Sequence, residues 1–334
     1  MKRLFVPFLT VLLLLTSLSV PLVHSSPEYT FSSDSYVLRG GIVDKSSPTL
    51  ADLNGDGEPE VLVGTTAYNA LLNNYSSPTY LEARRGDGSI WFRQSIPAPM
   101  NSSPAVGDID NDGHPEIVIS LGGDVADLNH FGGVRAYSYT GAERLWHFDT
   151  RDVDNNGYPD GVYSSPTLCD VDGDEDLEII FGAWDQRIYM LDHNGNSIWN
   201  NKPQGYTGQG FLVGDSVWST AACVDLNRDG YKEIIIGGDI TGGGVLPDGT
   251  HTDDGGYLFI FDKDGNILVR RYLNEAVYAA PAVGDLDGDG DYEIVSGTSW
   301  YWWDKHGRTD QPYVDAFDTR KVFEDQMDYF EPSK

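Results

Sequence analysis

The sequence predicts an all-β fold, a β-propeller of about five four-stranded blades. An acidic motif occurs five times, each copy runs directly into a short β-branched segment, and each is followed by a strand, a polar turn and another strand. The copies start near residues 46, 102, 164, 219 and 279, a period of about 58 residues, so the chain is read first as a repeat protein. A linear solenoid is the less favoured alternative, because solenoid repeats are usually shorter and more simply connected.

The fifth copy, AAPAVGDLDGDGDYEIVSG at 279–297, shows the acidic motif most completely. Asp285, Asp287 and Asp289 occupy loop positions 1, 3 and 5, Gly290 occupies position 6 and Glu293 position 9. Ca²⁺ takes six to eight oxygen ligands, and alternate side chains of a tight loop supply several of them. One such loop would more often be an ordinary turn, but five copies in one register favour a calcium site. An EF-hand is excluded because flanking helices and a Glu at position 12 are missing.

Each acidic loop leads into a predicted buried strand that begins with the position-9 glutamate and ends in a small residue. With the short strand before the loop, this gives the two inner strands of a blade. The other four copies are SSPTLADLNGDGEPEVLVG (46–64), SSPAVGDIDNDGHPEIVIS (102–120), SSPTLCDVDGDEDLEIIFG (164–182) and STAACVDLNRDGYKEIIIG (219–237).

The second half of each repeat has the pattern of two outer strands joined by a tight polar turn. These hairpins are predicted at 80–91, 134–146, 188–199, 257–268 and 314–322. The sequence leaves open whether residues 35–43 or residues 314–329 complete the last blade.

The first 25 residues have the pattern of a signal peptide: a positive start, an apolar run over 4–20, and small residues at Val23 and Ser25. A retained anchor is the alternative, disfavoured because the run is short and contains Pro7. We therefore expect a secreted, extracellular protein with no membrane span after cleavage, in which residues 26–334 form a single propeller domain.

The chain is strongly acidic, with 52 acidic and 22 basic residues and a net charge of −30. Nucleic acid is excluded as a partner class because phosphate binding requires a basic surface. Divalent ions bound in the repeated loops would relieve the self-repulsion of these charges.

The motif SSPxxxDxDxDGxxEIVxG, with Phe181-Gly182-Ala183 in the third copy, resembles the FG-GAP or VCBS repeats of integrin-α-like propellers. The resemblance implies calcium bound between the two inner strands of each blade. The third copy departs from this pattern, because Glu175 replaces the expected glycine, and this weakens the expectation of calcium in that loop. The implied ligands are Asp52, Asn54, Asp56 and Glu60; Asp108, Asp110, Asp112 and Glu116; Asp170, Asp172, Asp174 and Glu178; Asp225, Asn227, Asp229 and Glu233; and Asp285, Asp287, Asp289 and Glu293.

A sixth acidic motif lies outside the repeat, in the connection between the second and third blades. It comprises Asp152, Asp154, Asn156, Gly157 and Asp160. A metal site and a plain Asx-turn loop both remain open for this segment.

The variable loops fall on the face opposite the acidic loops and are rich in aromatic residues, and loops on a constant scaffold commonly carry binding sites. The residue before the small pair that opens each blade should lie at the rim of the central channel: Lys45, Asn101, Tyr163, Trp218 and Tyr278. Aromatic rings that stack on sugar faces and polar groups that fix hydroxyls would suit a glycan. Simple packing of these rings at the rim is the alternative.

These features favour a binding or adhesion module for a polysaccharide or a cell-surface protein. The alternatives are a calcium-dependent polysaccharide lyase, with Tyr163, Lys45 and His130 as the first candidates for proton transfer, and a fragment of a larger cell-surface protein with more blades. No catalytic residue is assigned. Cys169 and Cys223 lie on successive blades, and the sequence leaves open whether they form a disulfide or stay free.

Overall fold

The structure, a computed structural model, consists of antiparallel sheets repeated along the chain, as the sequence predicted. It describes residues 43, 46–65, 79–122, 132–141, 144–200, 209–246, 249–306 and 313–319. The predicted signal peptide, Lys45, His130 and the segments 35–42 and 320–329 lie outside the described residues.

Each repeat forms one blade, and its strands pair in chain order from the inner to the outer edge. Blade one contains β1 (Thr49–Ala51), β2 (Glu60–Gly64), β3 (Thr79–Arg84) and β4 (Ile90–Ile96). Blade two contains β5 (Ala105–Gly107), β6 (Glu116–Leu121), β7 (Gly133–Tyr137) and β8 (Arg144–Phe148). Blade three contains β9 (Thr167–Cys169), β10 (Glu178–Gly182), β11 (Arg187–Leu191) and β12 (Phe211–Leu212). Blade four contains β13 (Ala222–Val224), β14 (Glu233–Ile240), β15 (Gly255–Phe261) and β16 (Ile267–Leu273). The described part of blade five contains β17 (Ala282–Gly284), β18 (Glu293–Gly297), the helix α1 (Tyr301–His306) and β19 (Val314–Asp318).

Two expectations about these segments need correction. In blade three the outer strand is β12, whereas residues 188–199 were predicted to form both outer strands. Trp199 is fully buried between blades three and four, so the chain turns inward there, and Ser197 makes only an isolated bridge to Leu191. In blade five, residues 301–306 of the predicted variable loop form the short helix α1.

The hydrophobic core consists of layers between neighbouring blades. Because side chains alternate across a strand, Ile234 and Ile236 of β14 pack in the layer with blade three, while Ile235 packs in the layer with blade five. The continuous apolar runs after each acidic loop are therefore strands buried on both faces.

The Ser-Ser-Pro start of the repeat links successive inner strands through side-chain hydrogen bonds. The Ser47 amide donates to Ser103 Oγ (2.9 Å), the Ser103 amide to Ser165 Oγ (3.0 Å) and the Ser165 amide to Thr220 Oγ1 (3.2 Å). In blade five this position is Ala280, which has no hydroxyl. The paired small residues thus hold one blade to the next.

A disulfide joins Cys169 of β9 to Cys223 of β13, with the Cα atoms 6.6 Å apart. This settles the question that the sequence left open, and it crosslinks blades three and four. Such a bond is typical of proteins that fold in an oxidising compartment. Among the helices of the described ranges, none has the length and apolar character needed to cross a bilayer.

Candidate functional site

The first, second, fourth and fifth acidic loops share one pattern of backbone hydrogen bonds, which the first loop illustrates. Asp52 Oδ1 accepts hydrogen bonds from the amides of Gly55 (2.8 Å) and Asp56 (3.1 Å), and its Oδ2 accepts from the Gly57 amide (2.7 Å). The chain therefore wraps around the first aspartate. The glycine at position 6 has a positive φ, +87° at Gly57, which an L side chain adopts only with strain.

Glutamate at position 9 anchors each loop to its own blade. One carboxylate oxygen accepts the backbone N–H of the loop's second residue, at 2.7–3.0 Å. The five glutamates are buried: Glu60, Glu116, Glu178, Glu233 and Glu293. Oε1 of Glu293 is buried without a hydrogen-bond partner among the described residues. Because one oxygen of each glutamate accepts a backbone amide, the other oxygen can serve as a ligand for a cation in the loop.

Several loops bring carboxylate oxygens close enough together to hold a metal ion. Each residue of a cluster supplies one oxygen within 4.8 Å of the others. The clusters are Asp108, Asp110 and Glu116; Asp170, Asp172 and Glu178; Asp285, Asp287 and Asp289; and, in the sixth motif, Asp152, Asp154 and Asp160. Blades one and four have Asn54 and Asn227 at position 3, where an amide oxygen would replace a carboxylate.

In the absence of a cation, several buried carboxyl groups of these loops are less readily ionised than free carboxyl groups. Burial, reinforced by the neighbouring loop aspartates, raises the pKa of Glu116, Glu178 and Glu233 to about 7. Burial likewise raises the pKa of Asp160 to about 7. A divalent ion would reverse this effect, because it favours the ionised form of every oxygen ligand.

The third loop keeps the positive φ at position 6 despite the missing glycine, and its Gly173 amide donates to Asp170 Oδ1 (2.7 Å). Glu175 adopts φ +77°, a conformation that favours glycine, and its carboxylate accepts a hydrogen bond from the Asn111 side chain of the neighbouring loop (3.2 Å). Loops four and five are joined similarly, since Arg228 donates to the carbonyl of Gly290. Acidic loops of adjacent blades thus lie side by side on one face.

An aromatic pocket lies at the opposite end of the second strands, as their topology requires. The rings of Trp218 and Tyr278 stack with centroids 4.6 Å apart, and Trp184 lies 5.0 Å from Trp218. Tyr163 makes T-shaped contacts with both Trp184 and Trp218. The cavity has a volume of about 650 Å³, and exposed Trp300 and Tyr301 complete its aromatic lining.

The structure brings together three of the five predicted rim residues. Tyr163, Trp218 and Tyr278 form one aromatic cluster, although Tyr163 is only 8% exposed and does not line the cavity. Asn101 is buried, and its side-chain amide donates to the Gly122 carbonyl (3.2 Å). Lys45 is outside the described residues.

Two carboxylates and one ammonium group at this pocket were not predicted. Asp239 is 3% exposed and accepts hydrogen bonds from Tyr278 Oη (2.9 Å) and Trp302 Nε1 (2.8 Å). Burial, with a smaller effect of Asp215, raises the pKa of Asp239 to about 6 against these two donors. Lys305 places Nζ 4.7 Å from the Trp302 ring centroid. In the sequence, the one indication that Asp239 has a role at this pocket is that it is an acidic residue in an otherwise apolar strand, next to a variable loop.

Comparison with known families supports the repeat assignment. A profile of the FG-GAP-like repeat matches residues 52–119 and 170–236, which contain the first four acidic loops. The chain carries FG-GAP-like repeats. The fifth loop has the same hydrogen bonds, with the Gly290 amide donating to Asp285 Oδ2 (2.9 Å).

Solved structures similar to these FG-GAP-like repeats have low sequence identity. The Pseudomonas aeruginosa PilY1 C-terminal domain is 20% identical, with 78% of this chain and 57% of that chain covered and a TM-score of 0.46. BamB from Moraxella catarrhalis is 12% identical, with 76% and 82% covered and a TM-score of 0.36. Quinohemoprotein alcohol dehydrogenase from Comamonas testosteroni is 10% identical, with 76% and 56% covered and a TM-score of 0.43. Comparison with curated proteins gives no match.

Proposed function

We propose that the protein is an extracellular, calcium-stabilised propeller that binds a glycan through the aromatic pocket. The observation that carries the proposal is the cluster of Trp184, Trp218 and Tyr278 rings at a cavity of about 650 Å³. Aromatic rings with a few fixed polar groups are the usual composition of a small-ligand site. The signal-peptide pattern and the disulfide support an extracellular location.

The polar groups of the pocket favour a neutral or amino sugar over an acidic one. Asp215 and Asp239 line the cavity and would repel a uronate, while carboxylates accept hydrogen bonds from hydroxyl or ammonium groups. The indole N–H groups of Trp184 and Trp218 are buried without an acceptor among the described residues. They are donors that a ligand hydroxyl or a bound water would satisfy.

Calcium in the acidic loops has a structural role in this proposal. Loop positions 1, 3, 5 and 9 of the five blades, and Asp152, Asp154, Asn156 and Asp160 of the sixth motif, are the proposed oxygen ligands. The five blade loops and the pocket lie at opposite ends of the second strands, so ions in these five loops stabilise the blades without touching the ligand. The sixth motif follows β8 in the link to blade three and lies at the pocket end of the strands, where the Trp184 amide donates to the Gly161 carbonyl (2.9 Å).

The lyase alternative receives less support from the geometry. Abstraction of a proton beside a uronate carboxylate requires that carboxylate to be neutralised by cations or donors. Among the described residues, the pocket is lined by two carboxylates and one lysine, Lys305, and Tyr163 is buried among rings. A protein ligand for the same aromatic face remains the second binding hypothesis.

Retention on immobilised glycans tests the proposal. The mature protein in calcium should be retained on a neutral or amino polysaccharide, and Trp218→Ala should weaken binding about tenfold, since a buried aromatic contact contributes 0.5–1.5 kcal/mol beyond area burial. Tyr231→Ala, an exposed aromatic on the acidic-loop face, is the control. Release of unsaturated uronate, read by ultraviolet absorbance, would favour the lyase. Failure to bind any glycan would contradict the glycan proposal.

A further inference from the structure

A second crevice, separate from the aromatic pocket, lies between blades one and two. Its volume is about 570 Å³. Gln94 and Ser95 of β4 line one side, and Arg135, Tyr137 and Arg144 of blade two line the other. The chain has only 22 basic residues against 52 acidic ones, yet two of its arginines face this crevice.

Arg135 is a buried cation with too few partners. It is 5% exposed, and its pairing with Ile119 places it on the face of blade two that packs against blade one. Its Nη2 lies 3.3 Å from Asp149 Oδ1, and the Asp149 side chain is 42% exposed. Nε and Nη1 of Arg135 are buried without an acceptor among the described residues. Burying an arginine in this way is costly unless its donors are satisfied.

The scaffold does not require a cation at this position. The equivalent residues, paired with the same position of the second strand, are Glu82, Tyr189 and Phe259. Blade one also buries a charge here, but Glu82 accepts hydrogen bonds from Arg84 Nε and Arg93 Nε at 2.5 Å each. Opposite Arg135 the paired residue is His147, which supplies no carboxylate. The blade therefore gives Arg135 one half-exposed carboxylate, Asp149, on Nη2 and supplies no acceptor for Nε and Nη1 among the described residues.

Arg144 adds a second positive charge on the same side of the crevice. Its pairing with Tyr137 places it on the crevice side of blade two. The pKa of Arg135 is lowered by burial, an effect that Asp149 opposes and the neighbouring charge of Arg144 increases. An anion between them would remove this repulsion and satisfy donors that now lack acceptors.

We propose that this crevice binds an oxyanion, a carboxylate or sulfate group, on the incompletely paired guanidinium of Arg135, with Arg144 as the second cation. Two oxygens of such a group match the parallel N–H donors of one guanidinium edge, either Nε with Nη2 or Nη1 with Nη2, and Nη2 keeps a second N–H for Asp149. Gln94 and Ser95 at the crevice wall can donate further hydrogen bonds. The site is independent of the aromatic pocket, and it would let an acidic ligand dock on a protein whose surface otherwise repels anions.

Calorimetric titration with sodium sulfate and with D-glucuronate, each at constant ionic strength against chloride, tests the proposal. The wild type should bind at least one of the two, and sulfate-only or glucuronate-only binding identifies the group recognised. Arg135→Gln should raise the dissociation constant at least tenfold. Arg85→Gln removes the same charge from an exposed arginine and should leave it unchanged. The Arg135 Nε–H resonance in nitrogen-15 NMR should shift on titration, while that of Arg85 should not.

Arg135→Met provides a readout that does not depend on binding. Because it removes an incompletely paired buried charge at similar volume, it should unfold at the same or a higher temperature than the wild type in chloride. It should lose the rise in melting temperature that sulfate or glucuronate gives the wild type. If all variants respond equally to sulfate, the effect is general exclusion from the protein surface and the proposal is wrong. It is equally wrong if neither anion binds the wild type.

Discussion

Calcium should stabilise the protein more at pH 8 than at pH 5, and the loop glutamates set the size of the difference. In the absence of a cation, Glu116, Glu178 and Glu233 have pKa values raised from 4.5 to about 7. An acid whose pKa is raised in the folded state adds stability that is fully present below the unfolded pKa and is lost as the pH rises through the folded pKa. Each ionised glutamate then costs the chelated protein on the order of 3 kcal/mol, since one pKa unit is about 1.4 kcal/mol.

A bound ion reverses this pH dependence because its ligands must be ionised. At a free calcium concentration of 100 times the dissociation constant, each site adds about 2.7 kcal/mol to the free energy of unfolding. For a chain of this size that corresponds to a rise in melting temperature of about 4 °C for each site. The calcium-dependent rise should shrink between pH 8 and pH 5, as protons compete for the same oxygens.

Thermal unfolding in calcium and in EGTA, followed by circular dichroism at several pH values, measures both effects. Glu178→Gln is the matched variant, because the amide oxygen still accepts the Val171 N–H but carries no charge. It should be more stable than the wild type in EGTA at pH 8 and should gain less from calcium. Equal melting temperatures in calcium and EGTA at pH 8 would refute the assignment of these loops as metal sites. A calcium effect that does not change with pH would refute the role of the glutamates.

Two further predictions concern the packing between blades. Gly237→Ala should lower the free energy of unfolding by about 1–3 kcal/mol, because the added Cβ would lie 2.2 Å from Val277 Cγ1. Gly284→Ala is the control, because a Cβ there has nothing within 4 Å and should leave the free energy of unfolding unchanged. Equal denaturation midpoints for the two variants would contradict this prediction. Replacing both Cys169 and Cys223 by serine should lower the free energy of unfolding under non-reducing conditions by about 4 kcal/mol, because the disulfide closes a loop with a sequence separation of 54 residues. An unchanged denaturation midpoint would show that the crosslink adds no stability.

Repetition made the acidic loops and the inner strands predictable from sequence. Asp285 and Glu293 were informative because the same spacing recurs in every blade, and because the strand after Glu293 must be buried on both faces. The outer edge of blade three was less predictable. Ser197 to Trp199 has the residues of a strand, but Trp199 is large enough to fill the layer between two blades, and that packing outweighs its strand propensity.

The candidate sites were predictable only where they follow the repeat. Trp218 and Tyr278 occupy one repeat position in successive blades, so their proximity followed from the architecture. Asp239 and Arg135 occur once, in segments whose equivalents in other blades have different residue types. Their importance comes from burial and from the partners that they have or lack, which a sequence pattern does not contain.

Comparing residue types at equivalent positions of the blades distinguishes residues that the fold requires from residues that it does not. A position that keeps one residue type in every blade, such as the glutamate that accepts the loop amide, serves a requirement that every blade shares. A buried position that changes from Glu82 to Arg135 to Tyr189 serves no such shared requirement. Burying a charge there lowers stability unless something balances it. Both carboxylate oxygens of Glu82 are paired within its blade, whereas Arg135 has Asp149 on Nη2 and two donors without an acceptor among the described residues. The proposed oxyanion would therefore account for Arg135, which the scaffold alone does not require.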